Sequence, residues 1–181
     1  MIETARLILR DWRDGDEHLL DRHCNTEAVM RWLGGVQPFD QQADAVDRLR
    51  GYSADYGHTF WAVERREDGA FLGFCGLKRA NTPACSVAGE FEIGWRLRED
   101  SWGKGYAKEA ASASLDHAFE ILAAPRVFAL TIEGNDASRG LMARLGMRRR
   151  EDLDYVDPAW PAEMNPVMVH ELGRDEWCAL R

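Results

Sequence analysis

The sequence contains no pair of cysteines at the spacing of a zinc site or a redox centre. Its four cysteines are Cys24, Cys75, Cys85 and Cys178, which are scattered along 181 residues. Neither a bound metal nor a disulfide framework is therefore expected. No hydrophobic stretch reaches the roughly 20 residues that cross a bilayer. The N-terminal segment "MIETARLILRDWRDGDE" is too charged for a signal peptide, so we expect a cytoplasmic location, free thiols and no membrane partner.

The sequence also has fewer basic than acidic residues. Lysines and arginines number 23 against 31 aspartates and glutamates, which gives a formal net charge of −8. This balance argues against general binding to nucleic acid and leans toward cationic partners. At 181 residues, 45% of them hydrophobic, the chain has the length and composition of about one globular domain with its own core. We predict a single domain over residues 1–181, with the oligomeric state left open.

Two common phosphate-binding loops are absent. The sequence has no GxxxxGK[ST] motif, which excludes a nucleoside triphosphatase of the Walker type. It also lacks the dinucleotide fingerprint GxGxxG, because Lys108 stands where the third glycine would be.

Alternating and periodic segments predict strands and helices in a defined order. The predicted strands are "RLILR", "TFWAVERRED", "AFLGFCGLKR", "EFEIGWRL", "RVFALTI", "MRRREDLDYV" and "MNPVMVHEL". The predicted helices are "DGDEHLLDRHCNTEAVMRWLGG", residues from about 40 to 56, "YAKEAASASLDHAFEIL" and "DASRGLMARLG". The turn signal Asp68-Gly69 joins the second and third strands as a hairpin. This order favours an α/β or α+β fold.

The stretch "SWGKGYAKEA" places Gly103 and Gly105 where a strand gives way to a helix. A helix N-terminus carries unpaired backbone N–H groups and a partial positive charge. Glycines let the backbone approach a phosphate closely, because they have no Cβ. The pattern indicates a pyrophosphate cradle. A tight turn whose glycines serve only steric needs is the alternative.

This stretch resembles motif A of the GNAT superfamily of N-acetyltransferases, which is written Q/R-x-x-G-x-G/A. Aligned with that pattern, the motif reads Trp102, Gly103, Lys104, Gly105, Tyr106 and Ala107. "TARLILRDW", "EIGWRL" and "NDASRGLMARLGM" occur in the order seen in the RimJ/RimL-type branch, which acetylates N-termini of ribosomal proteins. Trp102 departs from the motif's Gln/Arg position, but the cradle works mainly through main-chain N–H groups.

The resemblance implies a single-domain fold with a mixed, mostly antiparallel central sheet flanked by helices and strands splayed at the cofactor site. It also implies acetyl-coenzyme A as co-substrate, with its pyrophosphate at residues 102–107, and no metal. The splay would fall around Gly94, and Trp95, Arg96 and Leu97 would contact the pantetheine arm. Glycine in a strand often marks a close backbone approach; an aromatic side chain packed over Gly94 is the alternative.

Acetyl transfer requires that the amine lose a proton and that the departing thiolate gain one. Strand alternation puts Glu90, Glu92, Gly94 and Arg96 on one face of "EFEIGWRL". Glu92, in the "EIG" element where the branch has a glutamate, is the favoured base or substrate contact. Glu90 or a water is the other candidate for the base, and a solvated strand face that attracts a cationic substrate is the alternative for both glutamates.

The acid for the thiolate is harder to assign. The family often has a tyrosine in the helix after the N-x-x motif, and here that position is Met142. The branch offers Ser138 instead, with Asn135 as a further cofactor contact. Helix capping is the alternative role for Asn135 and Ser138. By the same resemblance, Trp32 lines the acceptor mouth.

The predicted function is acetyl transfer to a primary amine, either a protein N-terminus or a small molecule. A non-catalytic acyl-coenzyme A-binding or regulatory domain of the same fold is the alternative, because the usual tyrosine is missing.

Overall fold

A computed structural model describes residues 1–181 of the chain. The strands are β1 (Ile2–Glu3), β2 (Leu7–Arg10), β3 (Phe60–Arg65), β4 (Phe71–Arg79), β5 (Phe91–Leu97), β6 (Arg126–Thr131), β7 (Arg148–Arg149) and β8 (Met168–Gly173). The helices are α1 (Asp16–Cys24), α2 (Glu27–Met30), α3 (Phe39–Tyr56), α4 (Tyr106–Asp116), α5 (Asp136–Arg144) and α6 (Arg174–Ala179). The strand order is β1-β2-β3-β4-β5-β6-β8-β7. Only the β5–β6 register is parallel among those defined, so the predicted α/β fold with a mixed, mostly antiparallel sheet and flanking helices is confirmed.

The chain forms two compact units, and the prediction of one domain over residues 1–181 stays a prediction. The first unit comprises residues 1–78 and 94–114, and the second comprises residues 79–93 and 115–181. No helix of the protein is long and apolar enough to cross a membrane.

In the first unit, β1 to β4 are consecutive antiparallel neighbours. Leu7 and Leu9 of β2 are fully buried, as the alternation of "RLILR" predicts. The predicted turn closes the β3–β4 hairpin, because Gly69 adopts a φ of 71° and its N–H donates to the Arg65 carbonyl at 2.9 Å. One core cluster combines residues of β3, β4, α1, α2, α3 and the segment between β2 and α1: Trp12, Leu20, Cys24, Val29, Val46, Phe60, Ala62, Phe71 and Phe74.

In the second unit, β6 pairs antiparallel with β8, and β8 pairs with the short β7. The beginning of β5 lies parallel to β6, with Glu92 opposite Phe128. A separate core cluster consists of Ala80, Cys85, Val87, Phe128 and Val169. Helix α6 is held by the Trp177 indole, which donates to the Asp116 carboxylate at 2.9 Å.

The predicted strand "MRRREDLDYV" is wrong over most of its length, because β7 has only two residues and a 3₁₀ turn follows at Glu151–Leu153. The ladder stops where the Asp154 carboxylate accepts the Val169 N–H at 3.0 Å, in place of a main-chain carbonyl. Side chains of this kind compete with sheet pairing. The helix predicted from residue 106 onward changes to a π turn at His117–Ile121. Strand β1 and helix α6 carry too few residues to produce a periodic pattern.

Candidate active site

The loop from Trp102 to Gly105 joins the end of β5 to helix α4. Gly103 and Gly105 have φ values of 72° and 81°, in the left-handed region that favours glycine. A Cβ on Gly103 would meet no atom within 4 Å, so this glycine is not required by packing against the protein. The loop is exposed, and α4 continues from it for 11 residues. A helix of that length presents unpaired N–H groups and a positive end toward the loop.

Arg6 fixes the loop from outside. Its guanidinium donates to the Lys104 carbonyl at 3.0 Å and lies 4.6 Å from the centre of the Tyr106 ring. It also forms an ion pair of 2.6 Å with Glu109 in the first turns of α4. Burial would raise the pKa of Glu109, but hydrogen bonds from Thr4 and Arg6 outweigh burial and hold the pKa below its usual range. The contribution of Arg6 was not predicted, because no local pattern connects the first strand to residue 104.

A surface cavity of about 410 Å³ lies next to Tyr106. It is lined by Ala5, Arg6, Arg65, Arg66, Glu67 and Tyr106. Its three arginines each have a carboxylate partner within 4.0 Å, namely Glu109, Asp68 and Glu3. The cavity therefore places three arginines near the loop, but their charges are largely neutralised by these carboxylates.

Trp102 closes the end of β5. Its indole N–H donates to the Leu97 carbonyl at 2.8 Å, while the residue stays 48% exposed. The residue at the motif's Gln/Arg position thus holds the loop against the strand, and the main-chain groups of residues 103–105 remain at the surface.

Gly94 is covered by an aromatic ring. A Cβ on Gly94 would lie 2.8 Å from the Phe60 ring, which is closer than real contacts allow. The structure thus shows the aromatic packing that was the alternative for Gly94, and the predicted splay of β5 around Gly94 stays a prediction.

Gly73 of β4 allows β4 to approach β5 closely. A Cβ at Gly73 would lie 2.1 Å from the Arg96 carbonyl, so glycine is required at position 73.

The side chain of Arg96 lies among α1, α3 and β4. Its Nη1 donates to the Gln42 Oε1 at 3.3 Å, and the guanidinium carbon is 5.1 Å from the centre of the Phe74 ring. The Nε atom is buried and has no hydrogen-bond partner. Burial lowers the pKa of Arg96. The prediction for Arg96 was a contact with the cofactor along the strand, and nothing in the sequence distinguishes this side chain from other strand arginines.

Trp32 lies between α2 and α3, where it is partly buried. The Arg31 guanidinium stacks over its ring at 4.7 Å. Trp32 belongs to the first unit, which also contains two other parts of the predicted site, namely Trp95–Leu97 and residues 102–107.

The second unit contains the predicted acid–base residues. Glu90 and Glu92 are both partly buried, and Glu92 lies opposite Phe128 on β6. Near Glu92 is Tyr155, a residue that sequence reasoning missed. Burial, then a hydrogen bond with Cys85 and the charge of Glu92, raise the pKa of Tyr155. Its distance of more than 60 residues along the chain from Glu92 explains why no motif revealed it.

Asn135 caps helix α5. Its side-chain oxygen accepts the Ser138 N–H at 3.2 Å, as expected from the capping alternative. Ser138 is partly buried in the first turn, and Met142 is 2% exposed in the next turn of the same helix. A buried methionine at the family's tyrosine position leaves α5 without a phenolic acid there.

The loop geometry fits a pyrophosphate. An open surface next to two left-handed glycines lets main-chain N–H groups approach phosphate oxygens, and the helix that follows supplies the favourable dipole. Residues 102–107 would therefore hold the pyrophosphate of a nucleotide cofactor.

Comparisons with known proteins identify the family of the chain. The family model described as "Acetyltransferase (GNAT) domain" matches residues 6–148. The protein YkkB of Bacillus subtilis is 32% identical over 145 residues, which cover 80% of this chain and 83% of that protein.

Two solved structures share the fold. An acetyltransferase from Agrobacterium tumefaciens superposes with a TM-score of 0.76 at 25% identity, covering 94% of this chain and 92% of that one. The spermidine N-acetyltransferase of Vibrio cholerae, solved in complex with CoA and spermine, superposes with a TM-score of 0.74 at 17% identity, covering 97% and 99%.

Proposed function

The chain belongs to the GNAT family of acetyltransferases, and from that premise we propose that it transfers an acetyl group from acetyl-coenzyme A directly to a primary amine. The observation that carries the proposal is the exposed loop with two left-handed glycines that opens an 11-residue helix. The acceptor is a protein N-terminus or a small amine. The Vibrio cholerae neighbour names a polyamine, which adds polyamines to the amines worth testing.

The main chain of residues 102–107 is proposed to bind the pyrophosphate, and the main chain of Trp95–Leu97 the pantetheine arm. Acetyl-coenzyme A supplies an activated thioester. The Lys104 side chain is exposed next to the glycines and adds positive charge toward the phosphates. Asn135 and Ser138 at the start of α5 are proposed as further contacts to the same co-substrate.

Glu92 is proposed to take the proton from the amine, directly or through a water molecule, with Glu90 as the second candidate. An α-amino group has a pKa of about 8 and needs only modest help, whereas a lysine amine at about 10.4 needs more. The partial burial of Glu92 supports a role beyond a solvated strand face. Trp32 is proposed to line the entrance for the acceptor.

Ser138 is proposed to hydrogen-bond the departing sulfur. A hydroxyl is a weak acid, so Ser138 orients and solvates the thiolate more than it protonates it. Since Met142 cannot donate a proton, a non-catalytic acyl-coenzyme A-binding domain is the second candidate function. A cytoplasmic location stays a prediction of the sequence.

The test is release of coenzyme A, followed with a thiol reagent, from acetyl-coenzyme A and a panel of N-terminal peptides, amino acids and polyamines. Gly103→Trp is expected to abolish acetyl-coenzyme A binding and release. Gly69→Trp is the matched control, because Gly69 has a φ of 71° and equally open surroundings but lies in the β3–β4 turn. Glu92→Gln is expected to slow release while co-substrate binding persists.

The outcomes separate the two candidate functions. Amine-dependent release that Gly103→Trp loses and Gly69→Trp keeps supports the transferase. Tight binding of acetyl-coenzyme A without release from any amine supports the non-catalytic domain. Absence of saturable binding by the wild-type protein contradicts both.

A further inference from the structure

Arg96 is a partly buried cation without a carboxylate partner. Its neighbours are the Gln42 amide, the Phe74 ring and the Cys24 thiol, which belong to α3, β4 and α1. A guanidinium has five N–H donors, and here a single bond of 3.3 Å to a neutral oxygen is formed. Its Nε atom is buried and unpaired, which opposes folding, because a buried N–H group is normally hydrogen-bonded.

The missing partner is not explained by a shortage of acidic residues. The chain has 31 aspartates and glutamates against 23 lysines and arginines. In the same unit, Arg10 pairs with Asp16 and Glu64, and Arg98 pairs with Asp100. The Cys24 thiol does not take the role of an anion either, because burial raises its pKa to about 12.

The direction of the side chain separates it from the proposed pyrophosphate loop. Gly94 and Arg96 share a face of β5, which packs on Phe60 and Phe74 under helices α1 and α3. The loop at residues 102–105 is exposed and offers main-chain groups instead.

We propose that Arg96 binds an oxyanion carried by the acceptor, so that the substrate class is an amine that also bears a carboxylate or a phosphate. The planar fork of arginine matches both groups with two parallel hydrogen bonds. The Phe74 ring and the Gln42 amide orient the fork without neutralising it. The inference rests on the proposed function, because it names the substrate of that reaction.

The first experiment compares acceptors and their uncharged analogues. The best acceptor of the amine panel is assayed next to its carboxamide or its dephosphorylated form, with wild type, Arg96→Met and Arg96→Lys. For the oxyanion-bearing acceptor, KM is expected to rise by at least about tenfold in Arg96→Met and less in Arg96→Lys. The KM for acetyl-coenzyme A is expected to stay within about twofold, since an independent site leaves it unchanged.

Two further variants sharpen the result. Arg48→Met removes an exposed arginine of α3 and controls for the change in net charge. Gln42→Glu places a carboxylate where the amide now contacts Arg96, and is expected to raise the KM of the acceptor by competing with its oxyanion. A best acceptor without an oxyanion, or a rise in the KM of acetyl-coenzyme A alone, would overturn the proposal.

A second measurement does not depend on catalysis. The unfolding temperature is recorded with sodium acetate or inorganic phosphate against sodium chloride at equal ionic strength. Wild type and Arg48→Met are expected to be stabilised by one of the two anions more than Arg96→Met is, because the proposed pyrophosphate loop can bind phosphate equally in all three proteins. Stabilisation without any acetyl transfer would reject the proposed function and keep the oxyanion site. Acetyl transfer without a stabilising effect of either anion would keep the proposed function and reject the oxyanion site. The comparison of acetate with phosphate shows whether the site prefers a carboxylate or a phosphate.

Discussion

Two arginines of the same unit, Arg10 and Arg96, differ in how their charge is compensated. Arg10 on β2 is 5% exposed and is bound by Asp16 at 2.6 Å and by Glu64 at 2.7 Å. Asp16 also accepts the Arg13 N–H at 2.7 Å, so the carboxylate is satisfied on both sides. Arg96 on β5 has no carboxylate and leaves its Nε without a partner.

The pKa values move in opposite directions for the same reason. Burial acts to lower the pKa of both arginines. At Arg10 the hydrogen bonds and charges of Asp16 and Glu64 outweigh burial and raise the pKa. At Arg96 nothing outweighs burial, and the pKa is lowered. A completed network at Arg10 serves the fold, whereas the missing counter-charge at Arg96 is the basis of the proposed oxyanion site.

The largest expected effect is at Arg10. Arg10→Met would leave the buried Asp16 without its cation and would remove one of the two arginines that contact Glu64, so it is expected to lower the free energy of unfolding by about 3–5 kcal/mol. Urea unfolding measures the change. Arg13→Met is the control, because the exposed Arg13 also contacts Glu64, at 3.2 Å, and is expected to change stability by less than about 1 kcal/mol. An equal loss of stability in Arg10→Met and Arg13→Met would contradict the view that the buried ion pairs of Arg10 are the ones that stabilise the fold.

A paired carboxylate of the second unit is expected to make stability depend on pH. Burial acts to raise the pKa of Asp154, but hydrogen bonds from Arg149 and the Val169 N–H lower it overall. The contribution of ionised Asp154 to the free energy of unfolding is therefore fully present above the unfolded pKa of about 3.9. It is lost as the pH falls through the lower pKa of the folded state. Asp154→Asn is expected to cost about 1–2 kcal/mol at pH 7, with the difference from wild type shrinking below about pH 4. A difference that grows on acidification would contradict this prediction.

The smallest expected effect on stability is at Arg96. Because Arg96→Met removes a partly buried charge that has no counter-charge, the free energy of unfolding is expected to stay unchanged or rise by about 1 kcal/mol. Urea unfolding under the conditions used for Arg10→Met makes the two arginines directly comparable. A loss of more than about 2 kcal/mol would show that Arg96 stabilises the fold, which would contradict the contrast drawn here between Arg10 and Arg96.

The sequence predicted those parts of the fold that depend on local patterns. The Asp68-Gly69 hairpin, the strand around Ile93 and the helix that begins at Tyr106 are present as expected. The left-handed conformations of Gly103 and Gly105 follow from the same local reasoning, since glycine is the residue that adopts them without strain.

Features set by contacts between distant segments could not be predicted. Phe60 covers Gly94, Arg6 fixes the Lys104 carbonyl, and Asp154 ends β7 through Val169. Each depends on residues more than ten positions apart, which periodicity does not relate. For the same reason the setting of Arg96 became visible only with Gln42 and Phe74 in place.

The most direct test of the account is mass spectrometry of acceptor amines after incubation with the protein and acetyl-coenzyme A. The account predicts an acetyl group on the nitrogen of an amine that also carries a carboxylate or a phosphate, with much less product from its uncharged analogue. An acetyl group on a hydroxyl, or no acetylated amine although acetyl-coenzyme A binds, would contradict the account.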